Sequence, residues 1–162
     1  MNIKNKYLLY LYKMFYKSLN FINLIIFSLF NNNFPKVSII IPIFNNNNEH
    51  LKQCLDSLKF QSLKNIEIIC INDISVDNNL KIIREYANDN RFIIINENYF
   101  SYDDSINEGI KFVSGEYIGI IELNYFIDIN MFENLYKFTY NNNVDIVRYN
   151  YHLNKNIFFF SI

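Results

Sequence analysis

The sequence contains little glycine, cysteine or histidine and no tryptophan, and these shortages exclude several classes of protein. Its three glycines, Gly109, Gly115 and Gly119, leave no room for G-x-G-x-x-G or G-x-x-x-x-G-K-[ST]. Dinucleotide-binding proteins of the Rossmann type and P-loop NTPases, which use those motifs to hold phosphates, are therefore excluded. Cys54 and Cys70 are not in C-x-x-C spacing, so no structural zinc site is expected and both thiols are predicted to be buried and reduced.

Charge of either sign is not in excess. The 15 Lys and Arg residues nearly balance the 16 Asp and Glu residues, which gives a net charge of −1. A nucleic-acid backbone needs a surplus of cations, so no nucleic-acid partner is expected. The 51% of hydrophobic residues excludes a disordered chain, and 162 residues fit one globular domain with a short extension.

Residues 1–34 differ in composition from the rest of the chain. Four lysines precede an apolar run, Phe21–Phe30, and no A-x-A-like cleavage site follows it. The strictly apolar part is about ten residues, and counting from Met14 gives about 17, whereas a span of the bilayer needs about 20. Two interpretations stay open: a retained membrane anchor or membrane-surface helix, and a helix that packs on the domain. The chain is accordingly expected to be membrane-associated through this segment, or cytoplasmic.

From Pro35 onward, apolar runs of strand length alternate with segments of helical period. Because near-continuous apolar strands are typical of parallel sheets covered by helices, the alternation predicts an α/β sandwich. Strands are predicted at Val37–Ile43, Ile66–Ile71, Phe92–Ile95, Tyr117–Ile121 and Asp145–Tyr149.

Four helices are predicted between these strands, from apolar residues three and four positions apart. Asp77 is expected to cap the second helix, and Asn130 with Glu133 to form a capping box before the fourth, Met131–Tyr140. The predicted buried faces of the first three are Leu51, Cys54, Leu55 and Leu58; Leu80, Ile83 and Ala87; and Ile106, Ile110 and Val113.

Polar and acidic residues follow several of the predicted strands. In open α/β sheets, ligands bind beyond the carboxyl ends of the strands, so these residues are expected to share one site. Carboxylates that converge there favour Mg²⁺ or Mn²⁺, and a diphosphate ligand would complete the coordination. The segments are Phe44-Asn45, Asn72–Asp77, Asp103-Asp104 and Glu122-Leu123-Asn124.

Several of these motifs, in this order and spacing, resemble those of family 2 glycosyltransferases over roughly residues 36–150. The resemblance rests on Pro35–Asn45, Cys54-Leu55-Asp56-Ser57-Leu58, Gln61, Ile66–Asp73, Asn107-Glu108-Gly109-Ile110, Gly115–Gly119 and Phe126-Ile127-Asp128. It implies a GT-A, Rossmann-like three-layer sandwich with a mostly parallel sheet. It also implies a nucleotide-diphosphate sugar donor, Mg²⁺ or Mn²⁺, and inverting transfer to a hydroxyl of an acceptor, which is a glycan, a lipid or a protein.

The resemblance assigns roles position by position. Glu122 and Asn124 stand at the family's D-x-D metal motif, and Asp73 falls where an aspartate typically meets the nucleotide base. The residues expected to bind the nucleotide sugar are Pro42, Phe44, Asn45, Asn72, Asp73, Ser75, Asn107, Glu122 and Leu123.

Three positions depart from the family pattern. Asn72 replaces an aspartate, Ile106 replaces an arginine suited to a phosphate, and Asn124 replaces the aspartate that usually ligates the metal. An Asn carbonyl oxygen binds Mg²⁺ without the charge that attracts the cation, so a weakened metal site is expected. Two interpretations of Asp103 and Asp104 stay open: two adjacent acids that are solvated on a loop, which is the commoner case, and acids that compensate for the missing charge at that site.

The predicted domain spans residues 35–155, and residues 156–162 are an apolar tail. In the family, the general base lies in the C-terminal half, which this sequence does not reach, so no catalytic residue is assigned. The apolar terminus indicates a domain truncated at its C-terminus. The alternative function is a catalytically inactive or truncated GT-A relative, which acts as a binding module or survives as a gene fragment.

Overall fold

The computed structural model describes residues 34–43, 48–73, 77–97, 101–123, 126–151 and 155–161. All of them except Phe34 belong to one compact unit, Pro35–Ile162. The basic and apolar segment predicted within residues 1–34 lies, apart from Phe34, outside the described residues. Among the residues that are described, no helix is long and apolar enough to cross a membrane.

Six strands form one sheet, in the order β3-β2-β1-β4-β6-β5. Strands β1 to β4 pair in parallel, whereas β6 is antiparallel to both β4 and β5. The mostly parallel α/β architecture predicted from the alternating pattern is therefore confirmed. The strands are β1 Val37–Ile43, β2 Ile66–Asp73, β3 Phe92–Glu97, β4 Tyr117–Ile120, β5 Ile146–Tyr151 and β6 Lys155–Ser161.

Helices cover both faces of the sheet and give it three layers. The helices are α1 Asn48–Lys59, α2 Asp77–Arg84, α3 Tyr102–Gly109, which continues into a 3₁₀ turn at Ile110–Phe112, and α4 Met131–Asn142. Residues of α1 and α4 share one apolar cluster with alternate residues of β1, such as Ile39 and Ile41. The other face of β1 presents Ile40, which packs with Ile69 and Ile118 and contacts α3 at Gly109.

Strand β1 lies at the centre of this core, and all seven of its residues are buried. Because both of its faces are covered by helices, it has a near-continuous apolar sequence, interrupted only by Ser38, that a solvent-facing strand would lack. Burial of Cys54 and Cys70, predicted from the cysteine count, is confirmed, and neither forms a disulfide.

Two predicted helical faces differ from the observed ones. Helix α2 ends at Arg84, so Ala87 lies in the turns that follow it and is exposed. The residues buried here are Asn79 and Ile83 of the helix and Tyr86 just after it. Helix α3 buries Ser105 and Gly109 instead of Ile110, which is 43% exposed. Gly109 faces the sheet so closely that a Cβ atom at this position would lie 2.7 Å from Cγ2 of Ile40.

The capping box predicted before α4 is not formed. The side chain of Asn130 makes no capping hydrogen bond, and Glu133 instead pairs with Lys137 over 2.7 Å. Asn130 is nevertheless the N-cap residue, since its carbonyl accepts the N–H of Asn134 over 2.9 Å. Asp128 forms the turn before it, with its Oδ1 accepting from Asn130 N over 2.8 Å and its carbonyl from Met131 N over 3.0 Å. The predicted position of the cap is therefore confirmed, and the side-chain hydrogen bond of Asn130 is what the prediction gets wrong.

The C-terminal residues belong to the sheet. Of residues 156–162, treated as an apolar tail in the sequence analysis, all but the last lie in β6 between β4 and β5. The partners of β6 include Gly119↔Phe159 and Val147↔Phe159. The apolar character of this segment therefore reflects a strand inside the sheet.

Candidate functional site

The carboxyl ends of β1, β2 and β3 meet at one edge of the sheet. Ile43 pairs with Asn72 in the register of β1 and β2, and Asn72 pairs with Asn96 in that of β2 and β3. Asp73 is the last residue of β2 and pairs with Glu97. Polar residues from two neighbouring strands are thus side by side at the edge where open α/β sheets bind ligands.

Strand β4 delivers Glu122 to the same edge. Ile120 is in register with Ile40, and the N–H of Ile121 donates to the carbonyl of Ile40 over 3.0 Å, which continues the pairing by one residue. Glu122 follows directly and has an exposed side chain. The carboxylate therefore stands just past the end of β4, next to the end of β1 that contains the buried Pro42.

Asn72, predicted from the family resemblance to contact a nucleotide sugar, is fully buried. Its Nδ2 donates to Oδ1 of Asn96 over 3.0 Å, while its own Oδ1 has no hydrogen-bond partner within the described part of the chain. Asn96 was not predicted as a site residue. Asn96 lies one residue after the predicted end of β3, and its pairing with Asn72 becomes apparent only when the register of the two strands is known.

A second buried amide lies in the first turn of α2, and sequence reasoning missed it. Asn79 has no exposed surface, and neither its Oδ1 nor its Nδ2 has a partner among the described residues. A buried polar group without a partner costs about 1–3 kcal/mol, so such groups need an explanation. Asn72 and Asn79 flank residues 74–76, which include the predicted site residue Ser75 and lie outside the described residues.

The predicted metal motif is described only in part. Glu122 is exposed, whereas Leu123 is 3% exposed and packs in the core next to Ile121 and Ile127. Leu123 therefore anchors the segment from inside and does not present its side chain to a ligand. Asn124 lies outside the described residues, and no group of three or more His, Cys, Asp or Glu residues suited to a metal occurs among those that are described.

The first turn of α3 also lies towards this edge. Gly109, at the end of α3, packs against Ile40 in the middle of β1, and Gly115 packs against Ser38 near the start of β1. The chain therefore runs towards the amino end of β1 along this segment, and the first turn of α3 lies nearer the carboxyl end. Ser101 caps α3 by accepting a hydrogen bond from Asp104 N over 3.2 Å, and its hydroxyl donates to Oδ2 of Asp104 over 2.8 Å. Acidic residues at a helix N-terminus are favourable, so the local cap accounts for Asp104 without a metal.

The remaining predicted site residues lie on α3 or outside the described residues. Asn107 is exposed on α3, and Ile106, at the position of the family's arginine, is half-buried. Phe44 and Asn45 lie in the segment 44–47, outside the described residues. The structure thus brings Pro42, Asn72, Asp73 and Glu122 to one edge, and the side-chain geometry of the other predicted contacts is not described.

Neither cysteine has the properties of a nucleophile. Burial raises the pKa of the Cys54 thiol to about 12 and raises that of Cys70 further. Because the thiolate is the reactive form, both groups are inert at neutral pH. The chemistry of the edge therefore depends on carboxylates and amides.

Comparison with known proteins identifies the family. The model of "Glycosyl transferase family 2" matches residues 38–158. Glycosyltransferase GlyA of Streptococcus pneumoniae serotype 4 is 36% identical over 84 residues, which cover 51% of this chain and 12% of GlyA. The chain spans at most 25% of the length of GlyA and two glycosyltransferases of Bacillus subtilis that it also matches.

Solved structures share the fold. Staphylococcus aureus TarS 1–349, in complex with UDP-GlcNAc, superposes with a TM-score of 0.63 and 22% identity over 68% of this chain and 33% of that protein. The mannosyltransferase PcManGT of Pyrobaculum calidifontis, in complex with GDP-Man and Mn²⁺, gives a TM-score of 0.65 and 15% identity over 78% of this chain and 44% of that one. These likenesses confirm the predicted GT-A fold. With the family model covering residues 38–158, the chain belongs to glycosyltransferase family 2.

Proposed function

We propose that this chain binds a nucleotide-diphosphate sugar and takes part in the transfer of its sugar to an acceptor hydroxyl. The observation that carries the proposal is the convergence of Asp73 and Glu122 on the carboxyl edge of a parallel sheet, which is where open α/β proteins bind their ligands. TarS and PcManGT, which share the fold, were solved with a UDP-sugar and a GDP-sugar. The chemical class of the donor follows, and its base and sugar are left open.

Asp73 is the residue proposed to meet the nucleotide base. It ends β2, so its position along the edge is fixed by pairing with β3 on one side, while the neighbouring Asn72 pairs with β1 on the other. A carboxylate accepts hydrogen bonds from ring N–H groups of a base. The part-buried hydrogen bond between Asn72 and Asn96 links the ends of β2 and β3 next to Asp73.

A divalent cation is proposed at Glu122 and Asn124. Their carboxylate and amide oxygens are hard ligands of the kind that Mg²⁺ and Mn²⁺ prefer, and Mg²⁺ is commonly held by one or two carboxylates together with substrate phosphates. Glu122 is exposed at the edge, which fits this role. The bound cation would neutralise charge on the leaving diphosphate. A single carboxylate in the motif predicts weaker metal affinity than two would give.

The proposed reaction is an inverting transfer. The acceptor hydroxyl oxygen forms a bond with the anomeric carbon, the bond from that carbon to the diphosphate oxygen breaks, and the hydroxyl proton passes to a general base. No residue of the described chain is assigned as that base. The acceptor is proposed to be a glycan, a lipid or a protein, and residues 1–34 are proposed to associate with a membrane surface.

The alternative, an inactive relative that retains the fold, rests on Asn72, Ile106 and Asn124. The family match and the sugar-nucleotide complexes of the structural neighbours favour the enzyme. The substitution at Asn72 weighs little here, because this residue is fully buried and serves the strand end. Whether a cation binds at Glu122 and Asn124 therefore distinguishes the active enzyme from the inactive relative.

Calorimetric titration tests the proposed function. The chain is titrated with UDP and with GDP, each with and without Mn²⁺, alongside Asp73→Ala and a control, Asp145→Ala, at an exposed aspartate before β5. We expect Mn²⁺-dependent binding of one nucleotide that Asp73→Ala abolishes and Asp145→Ala leaves unchanged. Absence of binding by a wild-type chain that circular dichroism shows to be folded would contradict the proposal.

A further inference from the structure

Asn96 lies at the carboxyl edge of the sheet and has an exposed side chain. It comes one residue before the end of β3, and it is in register with Asn72 of β2. Nδ2 of Asn72 donates to Oδ1 of Asn96 over 3.0 Å. The side chain of Asn96 donates to no other described residue, so both protons of its Nδ2 are available to a ligand.

The bond from Asn72 determines how the Asn96 amide is oriented. Asn72 is fully buried, so its own amide does not reach the surface. Because the NH₂ group of Asn72 occupies the oxygen of Asn96, the planar amide of Asn96 has its own NH₂ group on the side away from Asn72. The group that Asn96 offers at the edge is therefore a hydrogen-bond donor.

Asp73, proposed above to meet the nucleotide base, is a diagonal neighbour of Asn96. Asp73 pairs with Glu97, and Asn72 pairs with Asn96, in the register of β2 and β3. Neighbouring strands lie about 4.8 Å apart and rise about 3.3 Å per residue, so the Cα atoms of Asp73 and Asn96 are about 6 Å apart. A flat base that lies across the strand ends at Asp73 is thus within reach of the Asn96 amide.

The two residue types together match one kind of base. A carboxylate accepts a hydrogen bond from a ring N–H, and an amide NH₂ donates one to a ring carbonyl. Uracil presents O4 and guanine presents O6 beside a ring N–H, whereas cytosine and adenine present an amino group at the same place. An amino group facing the NH₂ of Asn96 would set donor against donor.

We propose that Asn96 is a specificity-determining residue, which selects nucleotide sugars with a keto base, of the uracil or guanine type, against those with cytosine or adenine. Asn72 is the positioning residue that keeps the NH₂ group of Asn96 available to the base. The inference deepens the proposed function and rests on it, since it assumes that the base lies against Asp73. Matched contacts to two groups of a base edge typically discriminate by about 10-fold to 100-fold.

Asn96→Asp removes the donor with almost no change in shape. The new carboxylate still accepts the hydrogen bond from Asn72, while the group offered to the base becomes an acceptor that fits an amino base. Asn90→Asp is the matched control. Asn90 is exposed in the turn before β3, so the same substitution adds the same charge at the opposite end of the same strand.

Calorimetry with four nucleoside diphosphates in the presence of Mn²⁺ measures the preference. UDP and CDP differ only in the base edge, and GDP and ADP chiefly in theirs, so the ratio of dissociation constants within a pair isolates the base contact. The charge that Asn96→Asp adds near the diphosphate affects both members of a pair and cancels in the ratio. We expect wild type to bind UDP at least about 10-fold more tightly than CDP, or GDP than ADP.

The variants are expected to differ in this ratio. Asn96→Asp should lower it by about tenfold or more, and Asn90→Asp should change it by less than about twofold. Should Asn96→Asp fail to fold by circular dichroism, Asn96→Ala, which lacks the donor and adds no charge, takes its place with an expected fall of about fivefold.

Asn72→Asp tests the positioning role. A carboxylate only accepts hydrogen bonds, so Asn96 would have to donate to it and turn its own oxygen towards the base. We expect the ratio to fall in the same direction, although Asn96 itself is unchanged. Should the buried carboxylate prevent folding, Asn72→Ala, which frees the Asn96 amide to rotate, is measured instead with a smaller expected fall. A folded variant at position 72 with the wild-type ratio would contradict the positioning role.

The failure of this inference and that of the proposed function are distinguishable. Folded Asn96→Asp with the wild-type ratio, or a wild-type chain that binds CDP as tightly as UDP and ADP as tightly as GDP, would contradict the role of Asn96 and leave nucleotide binding intact. A folded wild-type chain that binds none of the four nucleotides would overturn the proposed function, and the role of Asn96 with it.

Discussion

Ser38 and Glu67 are joined by a 2.5 Å hydrogen bond from Oγ of Ser38 to Oε1 of Glu67, at positions that face each other in β1 and β2. Glu67 is 7% exposed, and it also accepts hydrogen bonds from N and Oγ of Ser114 over 2.7 and 2.9 Å. The hydroxyl of Ser38 in turn accepts from the N–H of Gly115 over 2.8 Å. This network fixes the turn before β4 at the edge of the sheet opposite to the candidate site.

Replacement of Glu67 by glutamine is expected to destabilise the fold. A glutamine has no charge and one acceptor oxygen instead of two, so the hydrogen bonds from Ser38 Oγ and Ser114 N become weaker and the bond donated by Ser114 Oγ is lost. We expect a loss of about 1–3 kcal/mol in the free energy of unfolding, measured by urea titration. Glu85→Gln, at a surface ion pair with Lys52, is the control and should lose less than about 1 kcal/mol. If both variants lost the same free energy of unfolding, the network around Glu67 would contribute no more to stability than a surface ion pair.

Gly115 is expected to tolerate no side chain. A Cβ atom there would lie 2.8 Å from the backbone N of Ser38 and 3.0 Å from the backbone C of Val37, and β1 cannot move away because it is paired on both sides. We expect Gly115→Ala to cost about 1–3 kcal/mol in urea unfolding.

Gly109→Ala provides a comparison for this substitution. Its Cβ atom would meet the side chain of Ile40, and alanine has a helix propensity about 1 kcal/mol better than glycine. We expect a smaller loss at Gly109 than at Gly115. A larger loss of unfolding free energy at Gly109 than at Gly115 would show that the backbone of β1 moves aside more easily than the side chain of Ile40.

Asp89 makes part of the stability dependent on pH. The hydrogen bond from Arg91, the largest cause, and the charge of Arg91 lower the pKa of this carboxyl below its ordinary value of 3.8. A lowered folded-state pKa means that the unfolded chain binds the proton more readily, so the stabilisation is complete above the ordinary pKa and is lost as pH falls through the folded-state value.

The pH dependence of Asp89→Asn checks this sign. Between pH 7 and pH 5, wild type should exceed the variant in stability by a constant margin, because Asp89 is ionised in both states. Below about pH 4 the margin should shrink, as the wild type loses the contribution of the ion pair. A margin that grows on acidification would mean that the folded-state pKa is raised. The ion pair is three-quarters or more shielded from solvent, so the effect is measurable.

Asn124→Asp is expected to strengthen metal binding. The substitution adds a second carboxylate two residues after Glu122 and returns the charge that the family's motif supplies. Since cation affinity depends on the number of charged ligands, we expect the Mn²⁺ dissociation constant to fall by about tenfold in the presence of the bound nucleotide. Glu122→Gln should have the opposite effect. An unchanged constant in both variants would place the cation elsewhere.

The strands and their order of alternation were predictable because local sequence determines them. Val37–Ile43 is apolar except for Ser38, and such a near-continuous apolar run is typical of a strand covered on both faces. Strand β6 was missed for the opposite reason. Its sequence is apolar and short, and only its pairing with β4 and β5 distinguishes a strand from a tail.

The site was predictable to the level of the sheet edge and no further. The sequence places Asp73 and Glu122 after strands, and parallel pairing brings both to one edge. It does not reveal that Asn79 is buried without a partner or that Gln61 reaches the carbonyl of Asp128, since both facts depend on how α2 and α4 pack. The sequence also does not reveal that the N–H of Asn130 is bonded to the side chain of Asp128.

Paramagnetic NMR tests the central claim, that nucleotide and cation bind at the carboxyl edge, most directly. Amide spectra of the labelled chain are recorded with UDP or GDP and Mg²⁺, and then with Mn²⁺, whose unpaired electrons broaden nearby signals. The account predicts that the amides of Asp73 and Glu122 lose intensity while those of Glu67 and Ser114, at the opposite edge, do not. Broadening centred on Glu67 and Ser114, or none in the presence of either nucleotide, would contradict it.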